Sequence, residues 1–193
     1  MIKSRDWRYP RDTIAQAYKD NDYGYMFHAG MLFVEFLLAS GLTAWDIRKT
    51  KILDYGCGTG RVSRLLSLTG AKVVGYDPTE ECIAESAVEG AKAPPTSRVP
   101  EKFTSNFSDV GSEFDIVICI NVLAHLTQDE QDVAINNIVL SLKENGVCYL
   151  WVHKHCHLPI VDHETVKLQA TNTVIVRGTK INGRIESYER CNP

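Results

Sequence analysis

The chain has 193 residues, 44% hydrophobic and 23% charged, the balance of one globular domain able to bury a core without disulfides or a structural metal. Its formal net charge of -3 excludes an overall positive field that would draw it to nucleic acid or an acidic membrane. The first ten residues are polar, and the most apolar stretch, residues 26–38, carries His28 and Glu35 and is too short to span a bilayer. A cytoplasmic protein is expected, with its six cysteines (57, 82, 119, 148, 156 and 191) as reduced thiols rather than a disulfide framework.

Along the chain, residues 12–20 and 25–39 read as helices, the second with a wide apolar face and a stop at Gly41. Lys51–Tyr55 is predicted as a strand, followed by a glycine turn and a helix near 60–68 that ends at Gly70. A second strand, Lys72–Tyr76, leads through Pro78 and Thr79 into a helix reaching about Val88. Prolines 94, 95 and 100 mark a loop before a short strand at Lys102–Ser105. Phe114–Ile120 is an almost unbroken apolar run, as expected of a central strand covered on both faces. Thr127 and Glu130 form a capping box for a helix that Asn145-Gly146 is expected to end, before a buried strand at Val147–Val152. Beyond residue 160, Thr173–Val176 and Arg184–Tyr188 flank Asn182-Gly183, a hairpin signal. The alternation argues for an α/β fold: a doubly wound, mostly parallel sheet with helices on both faces and a C-terminal antiparallel edge hairpin.

The segment from Ile52 to Gly60 carries the chemistry. An apolar strand runs into Gly56, Gly58 and Gly60, where the backbone turns sharply and a ligand can come close. A dinucleotide fingerprint needs its third glycine at position 61, which is Arg61. The spacing here is Gly-x-Gly-x-Gly, with Asp54 two residues upstream. A carboxylate there repels a pyrophosphate but suits a ligand carrying an ammonium and a sulfonium. Seventeen residues after Gly60, the second strand ends at Asp77, placed to accept hydrogen bonds from both ribose hydroxyls of an adenosine.

These segments, LDYGCGTG, VVGYDPT, FDIVICINVLAHL and LKENGVCYLWV, resemble the class I S-adenosylmethionine-dependent methyltransferases over residues 50–153. The resemblance is closest to the small-molecule enzymes that include those of ubiquinone and menaquinone biosynthesis. It implies S-adenosyl-L-methionine as cofactor, with Asp54 and the backbone of Gly56, Cys57, Gly58 and Gly60 around the methionine part. It further implies Asp77 at the ribose, Pro78 and Thr79 beside the adenosine, and Asn121 at the methionine end. The family often has a carboxylate against the adenine after the third strand; here the candidates are Ser105 and Asn106.

Neither an Asp/Asn-Pro-Pro-aromatic motif nor a Pro-Cys pair follows the fourth strand, which reads Ile120-Asn121-Val122-Leu123. Elimination therefore favours a small-molecule acceptor over nucleic acid, accepting through an O, N or C atom. His125 is the candidate general base, four residues past Asn121. His153, His155 and His157, with Asp162, His163 and Glu164 nearby, make a metal site conceivable, but solvated edge histidines are the commoner case and no metal is expected. Residues 1–48 are expected to form a helical lid, with Tyr23, Tyr25 and His28 over the pocket. Residues 49–153 form the cofactor core and 154–193 the edge strands of the same domain. A protein or RNA acceptor, a catalytically silent cofactor-binding subunit and a nucleotide-linked dehydrogenase are the rival readings.

Overall fold

A computed structural model describes residues 23–91, 97–153 and 173–191. The helix expected at 12–20 lies outside the described residues, as do Cys156 and the 155–164 part of the possible metal site.

The elements follow the predicted order. Helix α1 (Tyr23–Ser40) precedes β1 (Lys51–Tyr55), α2 (Arg61–Thr69), β2 (Lys72–Tyr76) and α3 (Glu80–Ala91). Then come β3 (Lys102–Thr104), β4 (Phe114–Cys119), α4 (Gln128–Ser141), β5 (Leu142–His153), β6 (Thr173–Ile181) and β7 (Arg184–Arg190). The seven strands form one sheet in the order β3-β2-β1-β4-β5-β6-β7. The first five are parallel, while β6 and β7 continue antiparallel. Asn182 and Gly183 both have positive φ, 52° and 79°, the two left-handed positions of a type I′ hairpin turn.

The apolar run of β4 is explained by what covers it. One face, with Ile52, Val73, Ile116, Ile118, Tyr149 and Trp151, packs under Leu32 and Phe36 of α1 and Val62 and Leu66 of α2. The other face, with Leu53, Val74, Val117, Cys119 and Leu150, packs under Ala134 and Ile138 of α4. Each fully buried aliphatic or aromatic side chain contributes about 1.5–3 kcal/mol of burial, so strands covered on both sides dominate the core. Phe36 meets Tyr149 edge-on at 5.4 Å, and Trp151 Nε1 donates to Glu35 Oε2 at 3.2 Å. Lower residue numbers on α1 therefore match higher ones on β5, which brings the start of α1 to the carboxyl edge of the sheet. Cys82, Cys119 and Cys148 are buried and Cys57 and Cys191 half-buried, all with free thiols, as expected of core cysteines.

One boundary differs from expectation. Thr127 caps α4 with the full capping box, but the helix ends at Ser141, where Leu142 turns extended (φ -68°, ψ 140°), and not at Asn145-Gly146. The Asn-Gly pair instead bulges β5: Phe114 pairs with Leu142 but Ile116 with Val147, so several residues oppose one step of β4. A Cβ on Gly146 would lie 2.8 Å from the Phe114 carbonyl, and Asn145 takes a φ of 62°. An Asn-Gly signal marks a left-handed turn, and in this chain the turn falls inside a strand. Among the described residues, no helix is long and apolar enough to cross a membrane.

Candidate active site

In the sheet order the chain winds outward from β1 through β2 to β3, then returns to β4 on the opposite side of β1. Such a reversal opens a crevice at the carboxyl ends of the strands. The glycine loop leaves β1 at this point. The amides of Gly56 and Cys57 both donate to the Tyr76 carbonyl, at 2.7 and 2.9 Å, which laces the loop to the end of β2. Arg64 Nη2 reaches back from α2 to the Thr59 carbonyl at 2.8 Å.

Asp77 braces the same loop from the other side. Its Oδ2 accepts from the Gly58 amide and its Oδ1 from the Thr79 amide, each at 2.9 Å. The side chain is half-buried, so both oxygens keep a solvent-facing side. The Asp77 amide donates to the Thr104 carbonyl at 3.2 Å, which ties the end of β3 to the site.

Asp54 is different in kind. It is 3% exposed, and its Oδ2 accepts from Ser63 Oγ at 2.6 Å. Burial pushes its carboxyl up to about 6, partly offset by the Ser63 bond and raised further by the nearby Asp77 charge. Beside it, burial lifts the Cys57 thiol well above its ordinary value, so this cysteine stays a neutral thiol.

Gly58 has a φ of 54°, and an added Cβ would meet nothing within 4 Å: the loop faces open space here. Gly60 has a φ of 76°, and its Cβ would run into the ring of Phe103 on β3. Gly60→Ala is therefore expected to cost about 3 kcal/mol, left-handed strain plus overpacking, whereas Gly58→Ala costs about 1 kcal/mol of strain alone. Urea denaturation of the two variants checks the difference.

Beyond β4, Asn121 adopts a φ of 56° and turns the chain across the glycine loop; a Cβ on Gly56 would overlap Val122. A short 3-10 turn, Leu123–His125, follows, and His125 is exposed at its end. Gln131, 4% exposed on α4, donates to the carbonyls of Leu123 and Leu126, both at 3.1 Å, and so holds this turn against the sheet. The main-chain carbonyls it satisfies carry no sequence signature, which is why Gln131 was not legible. Phe103 and Ser63 were also missed, although the isolated Gly75 inside β2 was a signal for Phe103, whose ring crosses it.

Asn106 is exposed and its carboxamide oxygen accepts from Ser108 N and Oγ, at 3.2 and 2.9 Å, capping the turn Phe107–Asp109. Pro78 is exposed beside Asp77. Inside this edge, the rings of Tyr55, Tyr76 and Phe107 pack within 5.0–6.3 Å of one another. Tyr55 Oη accepts from Asn137 at 3.2 Å, and burial pushes its phenol up to about 12. His28 is exposed on α1, while the side chains of Tyr23, Tyr25 and His153 lie outside the described atoms. Among the described residues, no three His, Cys, Asp or Glu side chains group to hold a metal ion.

With sheet, loop and paired carboxylates in place, comparison with known proteins is informative. Residues 52–146 match the family described as Methyltransferase domain, and the chain belongs to the S-adenosylmethionine-dependent methyltransferases. Magnesium-protoporphyrin O-methyltransferase from Synechocystis sp. is 30% identical over 105 residues, which cover 54% of this chain and 44% of that protein. Ubiquinone biosynthesis O-methyltransferase from Rickettsia canadensis is 28% identical over 137 residues, 68% of this chain and 55% of its own. The chain thus spans about half the length of the curated relatives it matches. The crystal structure of magnesium protoporphyrin IX methyltransferase from Synechocystis with bound S-adenosylmethionine superposes with a TM-score of 0.58 at 22% identity. That match covers 82% of this chain and 73% of the other and extends the likeness of fold beyond the 52–146 segment.

Proposed function

We propose that this protein binds S-adenosyl-L-methionine at the carboxyl edge of β1 and β2 and transfers its methyl group to an O, N or C atom of a small-molecule acceptor. The observation that carries the reading is the pair of carboxylates on either side of an open glycine loop: buried Asp54, and Asp77 bonded to the Gly58 amide. Two negative charges this close raise one another's cost unless a cation joins them. The site therefore suits a cationic ligand with a ribose diol and would reject a pyrophosphate.

The residues divide the work. Asp54 faces the ammonium of the methionine part, with Gly56, Cys57, Gly58 and Gly60 giving close backbone approach. The amino end of α2 has no side-chain cap at Gly60, which leaves its first N–H groups for the ligand carboxylate. The Asp77 oxygens take the ribose hydroxyls on the sides not used by Gly58 and Thr79. Pro78 flanks the adenosine, Asn106 reaches the adenine through its amide nitrogen, and Asn121 closes the methionine end. Bound there, the cofactor supplies an electrophilic methyl on a sulfonium. The protein aligns the acceptor behind that methyl, and positioning does most of the work in such an in-line displacement. The start of α1, within the expected 1–48 lid, stands over the same edge, and residues 49–153 supply the cofactor core.

His125, exposed on a turn held by Gln131, takes the acceptor proton as the new bond forms. His125→Ala is expected to lower kcat about 100-fold at pH 7 while leaving cofactor affinity unchanged. Retention of kcat would remove the histidine from the mechanism. The size of the domain match and the absence of the amino-methylating motif after β4 support a small acceptor over nucleic acid. The test of the whole reading is calorimetric titration of S-adenosylhomocysteine. Micromolar affinity supports it, and absence of heat at protein concentrations well above that range rejects it.

A further inference from the structure

Ser63 lies on α2, fully buried, where a polar side chain costs stability unless it is bonded. Its hydroxyl spends its one proton on Asp54 Oδ2 at 2.6 Å, short for a bond between a hydroxyl and a carboxylate. Its own carbonyl accepts from Ser67 Oγ at 3.0 Å, a bond that fixes the helix turn on which it sits. With Oδ2 committed to α2, Oδ1 of Asp54 is left as the oxygen with free acceptor capacity.

We propose that Ser63 is a positioning residue, which touches neither cofactor nor acceptor but holds Asp54 as an anion, so that cofactor capture depends on one proton and fails in mildly acidic solution. This rests on the cofactor reading above and adds what controls it. The groups facing Asp54 explain why one hydroxyl matters. Gly75 on β2 and Ile118 on β4 pair with Asp54 and offer no charge. Asp77, at the end of β2, opposes ionisation, and the Cys57 thiol of the loop is neutral. Only Arg61, at the start of α2, and Ser63 favour the anion. Burial already brings the carboxyl up to about 6, one step from neutral pH. When the ammonium of the ligand arrives, a protonated Asp54 must first release its proton to solvent, and binding is weakened by the fraction that is protonated.

The experiment titrates S-adenosylhomocysteine by calorimetry into wild type, Ser63→Ala and Asp54→Asn at pH 6.0 and 8.0. Wild-type affinity should be about twofold weaker at pH 6.0 than at pH 8.0. Loss of one such hydrogen bond moves the proton equilibrium about tenfold, so Ser63→Ala should be about fivefold weaker than wild type at pH 6.0. It should return to within about twofold of wild type at pH 8.0, because the anion then forms without help. Asp54→Asn should bind weakly and equally at both values. A Ser63→Ala defect equal at pH 6.0 and 8.0 would mean that the hydroxyl serves packing alone, and overturns this inference while leaving cofactor binding intact. Absence of wild-type binding at pH 8.0 instead overturns the cofactor reading itself, and this inference with it.

Discussion

Asp77→Ala should weaken cofactor binding by at least 100-fold and lower the melting temperature by a few degrees. Two effects add. The carboxylate would accept two ribose hydroxyls, and hydrogen bonds to a charged group are worth about 1.5–3 kcal/mol each. It also holds the Gly58 and Thr79 amides, so its loss frees the loop that must approach the ligand. Asp77→Asn separates the two. A carboxamide keeps one acceptor oxygen but turns a donor toward one of the two amides, so the loop loses one brace and the ribose one acceptor. Calorimetric titration with parallel thermal melts reads both. An Asp77→Ala protein that binds S-adenosylhomocysteine as tightly as wild type would remove this residue from the ribose site.

Asp54→Asn should do the opposite to stability and the same to binding. The sign follows from the carboxyl being raised by burial from 3.8 to about 6 in the folded protein. Such a group favours folding fully below pH 3.8, and that contribution is lost as pH rises through 6. Above pH 6 the ionised carboxylate costs the ligand-free fold about 3 kcal/mol. A carboxamide keeps the acceptor for Ser63 and carries no charge. At pH 8 the ligand-free variant should therefore melt roughly 5–10 °C above wild type. At pH 4 the gain should vanish. Cofactor affinity should fall at least 10-fold at pH 8, because the ammonium has lost its counter-charge. A variant no more stable than wild type at pH 8 would mean that Asp54 is better solvated, or better paired, than its burial implies. The charge is kept where it weakens the fold, as expected when a site needs what the core does not.

Much of this was legible from the chain. The strands at Lys51–Tyr55 and Lys72–Tyr76 were predicted residue for residue, because glycines or prolines bound each apolar run. The antiparallel hairpin followed from Asn182-Gly183, whose left-handed preference is local chemistry. The spacing of Gly56, Gly58 and Gly60 and the two carboxylates placed the loop and its neighbours. What was not legible depended on contacts across the sheet. Ser63 resembles any polar residue on an amphipathic helix until α2 is laid over β1. Gln131 looks like solvated surface until its amide is found between two carbonyls of the turn after β4. The misplaced end of α4 has the same origin: Asn145-Gly146 demands a turn but cannot say whether helix or strand precedes it, and pairing with β4 decides.

The two rims of the sheet bear on how the protein behaves in a crowded solution. A strand with unpaired amides and carbonyls is a template on which another chain can add itself, the first step of fibrillar aggregation. At one rim β3 is only three residues long, with Lys102 exposed, and offers too little backbone for a foreign strand to register. At the other rim β7 sets Arg184 and Glu189 into solvent, the latter paired with Arg177 at 3.8 Å, so an incoming strand would have to strip water from charges of both signs. Both rims are thus guarded by different means, brevity on one side and charge on the other.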